Sequence, residues 1–346
     1  MDLKKLLRSH LLHLHPYSSA RDEFSGEARI FLDANENAFG SSAEEPYNRY
    51  PDPYQSKLKQ CLSRLKNVSQ ERIFLGNGSD EPIDLLIRAF CSPGRDAILT
   101  MPPTYGMYQV CAEINGVKNR EVPLTSDFQI DLPAVMDHLD EEVKLVFICN
   151  PNNPTGNNLR SEDIKTVVER CKGLVLVDEA YTDFCPHISL TGIQSQYPNL
   201  VVLQTLSKAW GLAGLRLGML FAEPDLVAVL NKIKPPYNIS TPAQQIAIKA
   251  LDNRELVRHH IEKILEQRQD LASRLHGCRI VKKVYPSDAN FLLVQVEHPL
   301  EVYHRLLELG IVVRDRSRLK QCAGCLRITV GTPEENAHLL DALEAM

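Results

Sequence analysis

Short apolar runs separated by helical stretches constrain this chain most. Residues 97–101, 144–149 (KLVFIC), 173–177 (GLVLV) and 201–205 (VVLQT) are each too short for a stable helix. They are continuous in apolar character rather than alternating. Runs of this kind are strands buried on both faces, which is the condition of a parallel sheet covered by helices. The helical segments between them complete the pattern of a doubly wound α/β sheet. In such a sheet the strand ends gather along one edge, where ligands bind. The runs deliver Asn153, Asp178, Tyr181, Ser207 and Lys208 to that edge.

Lys208 is the most informative of these. It follows a buried strand in the stretch VVLQTLSKAWGLAGLRLG, whereas lysines prefer solvated helix faces. Desolvation lowers a lysine's pKa and frees its amine to attack carbonyls. Ser207 and Arg216 flank it with a hydroxyl and a guanidinium, a pair suited to a phosphate monoester. Together they suggest pyridoxal phosphate held as a Schiff base. A solvated lysine beside a structural arginine would look the same locally. GNGSDEP at 76–82 opens a helix expected to run to Phe90; small residues, a capping Ser or Asp and an early proline make a good helix N-terminus, whose free N–H groups can hold a phosphate or simply be capped. Tyr105, on the loop after the 97–101 strand, can stack on a flat ring or pack against its neighbours.

The flanking segments are less specific. Leu3, Leu6, Leu7, Leu11 and Leu14 recur at helical spacing until Pro16, and Tyr17 follows. Residues 28–33 (ARIFLD) read as a strand leading to the turn that contains Asn35. Pro51 and Pro53 hold 48–54, with Tyr50, in an extended loop. A helix is expected over 56–66 and a strand over 72–75. PPYN at 235–238 marks a domain boundary, after which one long helix is expected over about 241–275. Strands are expected at 291–296 and 326–330. Arg327 lies in an otherwise apolar strand, and GIVVRDR carries Arg314 and a second arginine; an arginine in such a place needs an anionic partner, whether a substrate or a structural carboxylate. Cys322 and Cys325 form one C-x2-C pair, short of the four ligands of a zinc site, so no metal is expected.

Composition excludes other classes. A net charge of −5 argues against binding nucleic acid through bulk charge. No apolar run reaches the ~18 residues of a membrane span, and Arg8, Ser9 and His10 interrupt any signal-like core. Nine scattered cysteines do not form a secreted disulfide framework, which makes the cytoplasm the expected compartment.

Taken together, CNPNNPTG, VDEAY, TLSKAWGLAGLRLG and LRITVG, in this order and spacing, resemble the fold-type-I pyridoxal-phosphate aminotransferases. ANEN, NRYPDP, GNGSDE, RAFCSPGRDAIL and PPTYGMY are similar to the histidinol-phosphate branch of that family. The resemblance runs from about Tyr17 to the C-terminus. It implies an α/β fold with a large domain built on a mostly parallel seven-stranded sheet (28–240), a smaller α+β domain (241–346) and an N-terminal arm (1–27). The implied reaction is transamination between L-histidinol phosphate and 2-oxoglutarate, with glutamate as the other amine, in histidine biosynthesis. A phosphothreonine-type decarboxylase, an aromatic amino acid aminotransferase or a non-catalytic regulator would share much of the same machinery.

The resemblance also implies roles. Lys208 would carry the cofactor and shuttle the proton. Asp178 would pair with the pyridine nitrogen, and Tyr181 and Asn153 with the ring oxygen, while Tyr105 would stack on the ring. The backbone at Ser79 and Asp80, with Ser207 and Arg216, would form the phosphate cup, Asp80 through its N–H only, and Gly78 and Thr205 would also line the cofactor site. Arg327, Arg314, Tyr17, Asn35 and Tyr50 would bind substrate. Tyr50 would reach the cofactor phosphate of a neighbouring subunit, making the active unit a homodimer.

Overall fold

The computed structural model describes residues 2–17, 29–185 and 189–346. Its larger sheet is formed by β1 (Ile73–Asn77), β2 (Ala97–Thr100), β3 (Lys118–Glu121), β4 (Val143–Cys149), β5 (Leu174–Asp178), β6 (Leu200–Thr205) and β7 (Leu217–Phe221). They lie in the order β1-β7-β6-β5-β4-β2-β3. Only β7 is reversed, pairing antiparallel with both β6 and β1. The cause is the connection. Between β6 and β7 the chain makes one 3-10 turn, Ala213–Leu215, in place of a crossover helix, and so returns beside the strand it left.

Side-chain alternation divides the core into two layers. Leu174 and Leu176 of β5 pack with Leu145, Phe147 and Tyr108 under the helix Asp80–Phe90. Val175 and Val177 pack on the other face with the helices Ser56–Lys66 and Ser161–Arg170. Each fully buried Leu or Val contributes roughly 1.5–3 kcal/mol. Strands that must satisfy both layers read as unbroken apolar runs for this reason.

A second sheet contains β8 (Val281–Val284), β9 (Phe291–Val296), β10 (Arg314–Asp315) and β11 (Cys325–Thr329), ordered β10-β11-β9-β8 and antiparallel throughout. One face carries Leu292, Val294, Leu326 and Ile328 against the helices Arg254–Leu275, Pro299–Glu308 and Pro333–Glu344. The other face, with Leu293 and Cys325, joins the core of the large sheet.

Three expectations change. Residues 29–33 are irregular, and Ile30 and Leu32 are exposed; among the described residues no strand pairs with this run, and a strand needs a neighbour in a sheet to be stable. Ala28 lies outside the described residues. The expected helix over 241–275 is two, Thr241–Leu251 and Arg254–Leu275, broken at Asp252 and Asn253, residue types disfavoured inside helices. The first of them packs Ala243, Ala247 and Leu251 against the core of the large sheet. The N-terminal stripe forms two single turns, Leu3–Leu6 and Ser9–Leu12, because the N–H of Arg8 is given to the carbonyl of Ala89 at 3.0 Å. Strand β3 (KNRE) has no apolar signal, as befits a polar sheet edge.

Among the described residues no helix is long and apolar enough to cross a membrane, and no cluster of His, Cys, Asp and Glu could hold a metal ion. Cys322 and Cys325 are buried, with thiols pushed up to about 12 and about 11.

Candidate active site

The ends of β4, β5 and β6 and the small sheet's inner face bring one set of polar groups together in a shared cleft region. Asp178 closes β5 and is buried. Its Oδ2 accepts the Tyr108 hydroxyl at 2.7 Å and its Oδ1 the N–H of Ala180 at 3.1 Å. Burial raises its pKa to about 6, against those two donors, which lower it. Among the described residues no cation lies within salt-bridge distance of this carboxylate. Two donors and no counter-ion leave a buried carboxylate that suits a cationic ring nitrogen.

Lys208 follows β6. It is exposed as a residue, as a reactive group must be, but its ammonium is crowded. Burial and then Arg327 lower its pKa, and Asp178 opposes them. Its Nζ lies 5.5 Å from the centre of the Tyr181 ring. Tyr181 is buried, and Asn153 donates to its hydroxyl at 3.4 Å. Asn153 in turn accepts from Nη1 of Arg327 at 2.6 Å. One chain of contacts therefore joins Tyr181 in the large domain to β11 in the small one.

A cradle lies beside these groups. Gly78 has φ +77°, and a Cβ there would collide with the Arg216 guanidinium. The N–H of Gly78 donates to the Arg216 carbonyl at 2.8 Å, fixing the two loops together. Ser79 caps the helix Asp80–Phe90 without a side-chain bond, so the opening amides face the cradle uncapped. Ser207 adds its hydroxyl, which accepts from Thr205 Oγ1 at 2.9 Å. Asp80 uses its carboxylate too: Oδ1 accepts the Tyr105 hydroxyl at 3.0 Å, and Oδ2 lies 3.9 Å from Arg216. Tyr105 meets Tyr108 edge-on, with centroids 5.5 Å apart.

Arg327 lies over the Phe291 ring at 5.3 Å. Its Nε is buried without a hydrogen-bond partner, so the fork has an open position. Arg314 sits opposite Arg327 across the β10–β11 pair.

The remaining expected residues are elsewhere. Tyr17 lines a cavity of about 640 Å³ between the N-terminal arm and the large domain, with Arg8, Lys232 and Pro236, and none of Lys208, Asp178 or Arg327 lines it. Asn35 is exposed in a left-handed turn. Tyr50 is exposed and stacks on Tyr237 at 4.5 Å.

Two residues were not singled out from sequence. Tyr108 carried no signal separating it from a core tyrosine. Arg316 did: it stands two residues after Arg314, and residues two apart share a face of a strand.

The chain matches the model of the aminotransferase class I and II family over residues 25–343. It is 51% identical over 345 residues to a histidinol-phosphate aminotransferase of Parabacteroides distasonis, covering 100% of this chain and 99% of that one. It is 52% identical over 342 residues to one of Cytophaga hutchinsonii, covering 99% and 98%. Its structure is similar to a histidinol-phosphate aminotransferase of Sinorhizobium meliloti in complex with pyridoxal-5'-phosphate, with a TM-score of 0.80, 26% identity and 90% and 89% of the two chains covered. With its whole length aligned and the cleft built from β4, β5, β6 and β11, the chain belongs to the class I and II aminotransferases, in their histidinol-phosphate branch.

Proposed function

We propose that this protein is a pyridoxal-phosphate-dependent transaminase that moves an amine between L-histidinol phosphate and 2-oxoglutarate. The observation that carries the reading is the approach of two sets of groups in one cleft. Lys208, Asp178 and Tyr181 are ready for a carbonyl cofactor, and Arg327 is joined to them through Asn153, with no carboxylate of its own among the described residues.

The residues fit the cofactor. Gly78 leaves room where a side chain would fill the cradle, and among the described residues Asp178 has no cation at salt-bridge distance. When bound, the pyridoxal group supplies an electron sink that acidifies the substrate's Cα–H. Lys208 would hold its aldehyde and, once displaced by substrate, its free amine would take the Cα proton. The crowding that lowers the Lys208 pKa favours the neutral amine needed for both tasks. Asp178 would face the pyridine nitrogen and keep it protonated, since its pKa of about 6 leaves it ionised at neutral pH. Tyr181 and Asn153 would hold the ring oxygen. Tyr105 would cover the ring, its hydroxyl tethered to Asp80. The amides of Ser79 and Asp80, the hydroxyls of Thr205 and Ser207, and Arg216 would hold the phosphate. Arg327 and Arg314 would bind the substrate anion.

The reading includes a homodimer with a shared site. Large exposed apolar side chains concentrate at Tyr17, Ile30, Leu32, Phe39, Tyr47, Tyr50 and Tyr54, a surface suited to a second copy. Tyr50 would reach the neighbouring cofactor's phosphate, and Tyr17 and Asn35 would meet substrate once that segment is packed. A small domain after residue 240, a large domain before it and the N-terminal arm would be the units of this assembly.

A single half-reaction tests the proposal. Histidinol phosphate added to the loaded enzyme without an acceptor is expected to convert the carbonyl form of the cofactor to its amine form, read by absorbance. Release of carbon dioxide from phosphothreonine in place of this conversion overturns it. Borohydride is expected to fix the cofactor to Lys208, seen as added mass on its peptide, and not to fix it in Lys208→Ala.

A further inference from the structure

Three guanidiniums share one face of the small sheet. Arg314 pairs with Arg327 and Asp315 with Leu326 across β10 and β11. The Arg316 N–H extends the register by one step, donating to the carbonyl of Cys325 at 2.9 Å. Side chains alternate along a strand, so Arg314, Arg316, Arg327 and Cys325 point the same way. That direction is the cleft: Cys325 is part of the core shared with the large sheet, and Arg327 reaches Asn153. Leu326 and Ile328, of opposite parity, lie under the small domain's helices.

Among the described residues none of the three arginines has a carboxylate within salt-bridge distance. Asp315, the nearest in sequence, spends Oδ1 on the N–H and hydroxyl of Ser317. The charges act on one another. Burial lowers the pKa of Arg316, and Arg327 and Arg314 lower it further. The Arg316 charge also acts on Tyr181, where with Arg327 it opposes the rise that burial imposes on the hydroxyl. Three clustered guanidiniums exceed what one carboxylate neutralises, since a carboxylate occupies a single fork. A phosphate ester dianion has two charges and three terminal oxygens, enough for more than one fork.

We propose that Arg316 is a specificity-determining residue that, beside Arg314 and Arg327, makes the substrate pocket favour a dianionic phosphate ester over a singly charged carboxylate. This rests on the transaminase reading above and adds a third arm to its anion site.

The test compares Arg316→Gln and Arg316→Lys with the parent, all loaded with cofactor so that the cofactor's own phosphate cup is filled. Kinetics are measured with histidinol phosphate and with its dephosphorylated amine, histidinol. In Arg316→Gln the ratio of kcat/KM for the two amines is expected to fall roughly 10- to 100-fold, the size of a lost charge-assisted contact, mostly through KM for the ester. Arg316→Lys is expected to recover part of it. Inorganic phosphate should raise the melting temperature of the parent and do so less for Arg316→Gln. Without phosphate the glutamine variant should melt no lower than the parent, because a repulsion has been removed. An unchanged ratio, or a lower melting temperature with the ratio intact, overturns the proposal; if Arg316→Gln does not fold, Arg316→Lys decides by the same ratio. Failure of the parent to use histidinol phosphate would instead refute the transaminase reading.

Discussion

The hydroxyl of Tyr108 donates to Oδ2 of Asp178 at 2.7 Å, with both side chains buried. The tyrosine cannot swing away, because its ring is stacked on Phe147 at 4.8 Å. The bond stabilises the ionised carboxylate against a burial that already raises its pKa to about 6. Tyr108→Phe removes a donor from a buried charge, a loss of about 1–3 kcal/mol. The expected result is a further rise in the Asp178 pKa. Cofactor affinity should then weaken more at pH 6 than at pH 8. Fluorescence titration of the apoenzyme with cofactor at the two values checks this, and an equal change at both would mean that the tyrosine only packs.

The same carboxylate gives a pH dependence of stability. The folded pKa of about 6 lies above the ordinary 3.8, so between them the folded apoenzyme holds the proton more tightly than the unfolded chain. Asp178 therefore favours folding at low pH, and that contribution is lost as pH rises through about 6, a change of about 2–3 kcal/mol. Asp178→Asn should flatten this part of the curve and make the apoenzyme relatively more stable at pH 7 than at pH 5. Denaturant unfolding of both apoenzymes at the two values gives the difference. In the loaded enzyme the same substitution should lower turnover by roughly 10²–10⁴.

Arg327 separates binding from architecture. Its Nη1 bridges to Asn153 while Nε is unpartnered. Arg327→Lys keeps a charge but loses the planar fork. It is expected to raise KM for both histidinol phosphate and 2-oxoglutarate by roughly 10-fold or more, the cost of a charge-assisted bond, with melting temperature nearly unchanged. A large fall in melting temperature with intact KM would mark the arginine as a structural tie between the domains.

Tyr50 tests the shared site. Its backbone N–H donates to Oε1 of Glu36 at 2.7 Å and its ring stacks on Tyr237, so the loop offers the exposed tyrosine in a fixed pose. Mixing Tyr50→Phe and Lys208→Ala homodimers, each poorly active, should restore activity as subunits exchange, since one of the two sites in a heterodimer is then intact. Mass spectrometry establishes the exchange, and no recovery after exchange would place Tyr50 outside the partner's site.

Much of this was legible in the residues. The strand at Phe291–Val296 and the helix at Ser56–Lys66 have the bounds expected for them. Periodicity carries over because both elements answer to their own residues and a single buried face. Residues 29–33 did not follow, because a strand requires a partner that local pattern does not supply. The break at Asp252 and Asn253 was missed because the apolar period continues across it.

At the site, sequence determined the chemical inventory: a lysine after a buried strand, an acid closing the preceding strand, a glycine-rich helix entry and arginines in an apolar strand. Strand alternation and strand ends determined which of these could share an edge, because both depend on spacing along the chain. Tertiary structure alone decided the pairings between distant segments. Tyr108 meets Asp178 across 70 positions, and Arg327 meets Asn153 across 174. It also decided that three arginines lie together with no carboxylate at salt-bridge distance among the described residues, since that depends on how the small sheet docks on the large one. Burial is a property of the docked whole, and it is burial that pushes Asp178 up and Lys208 down.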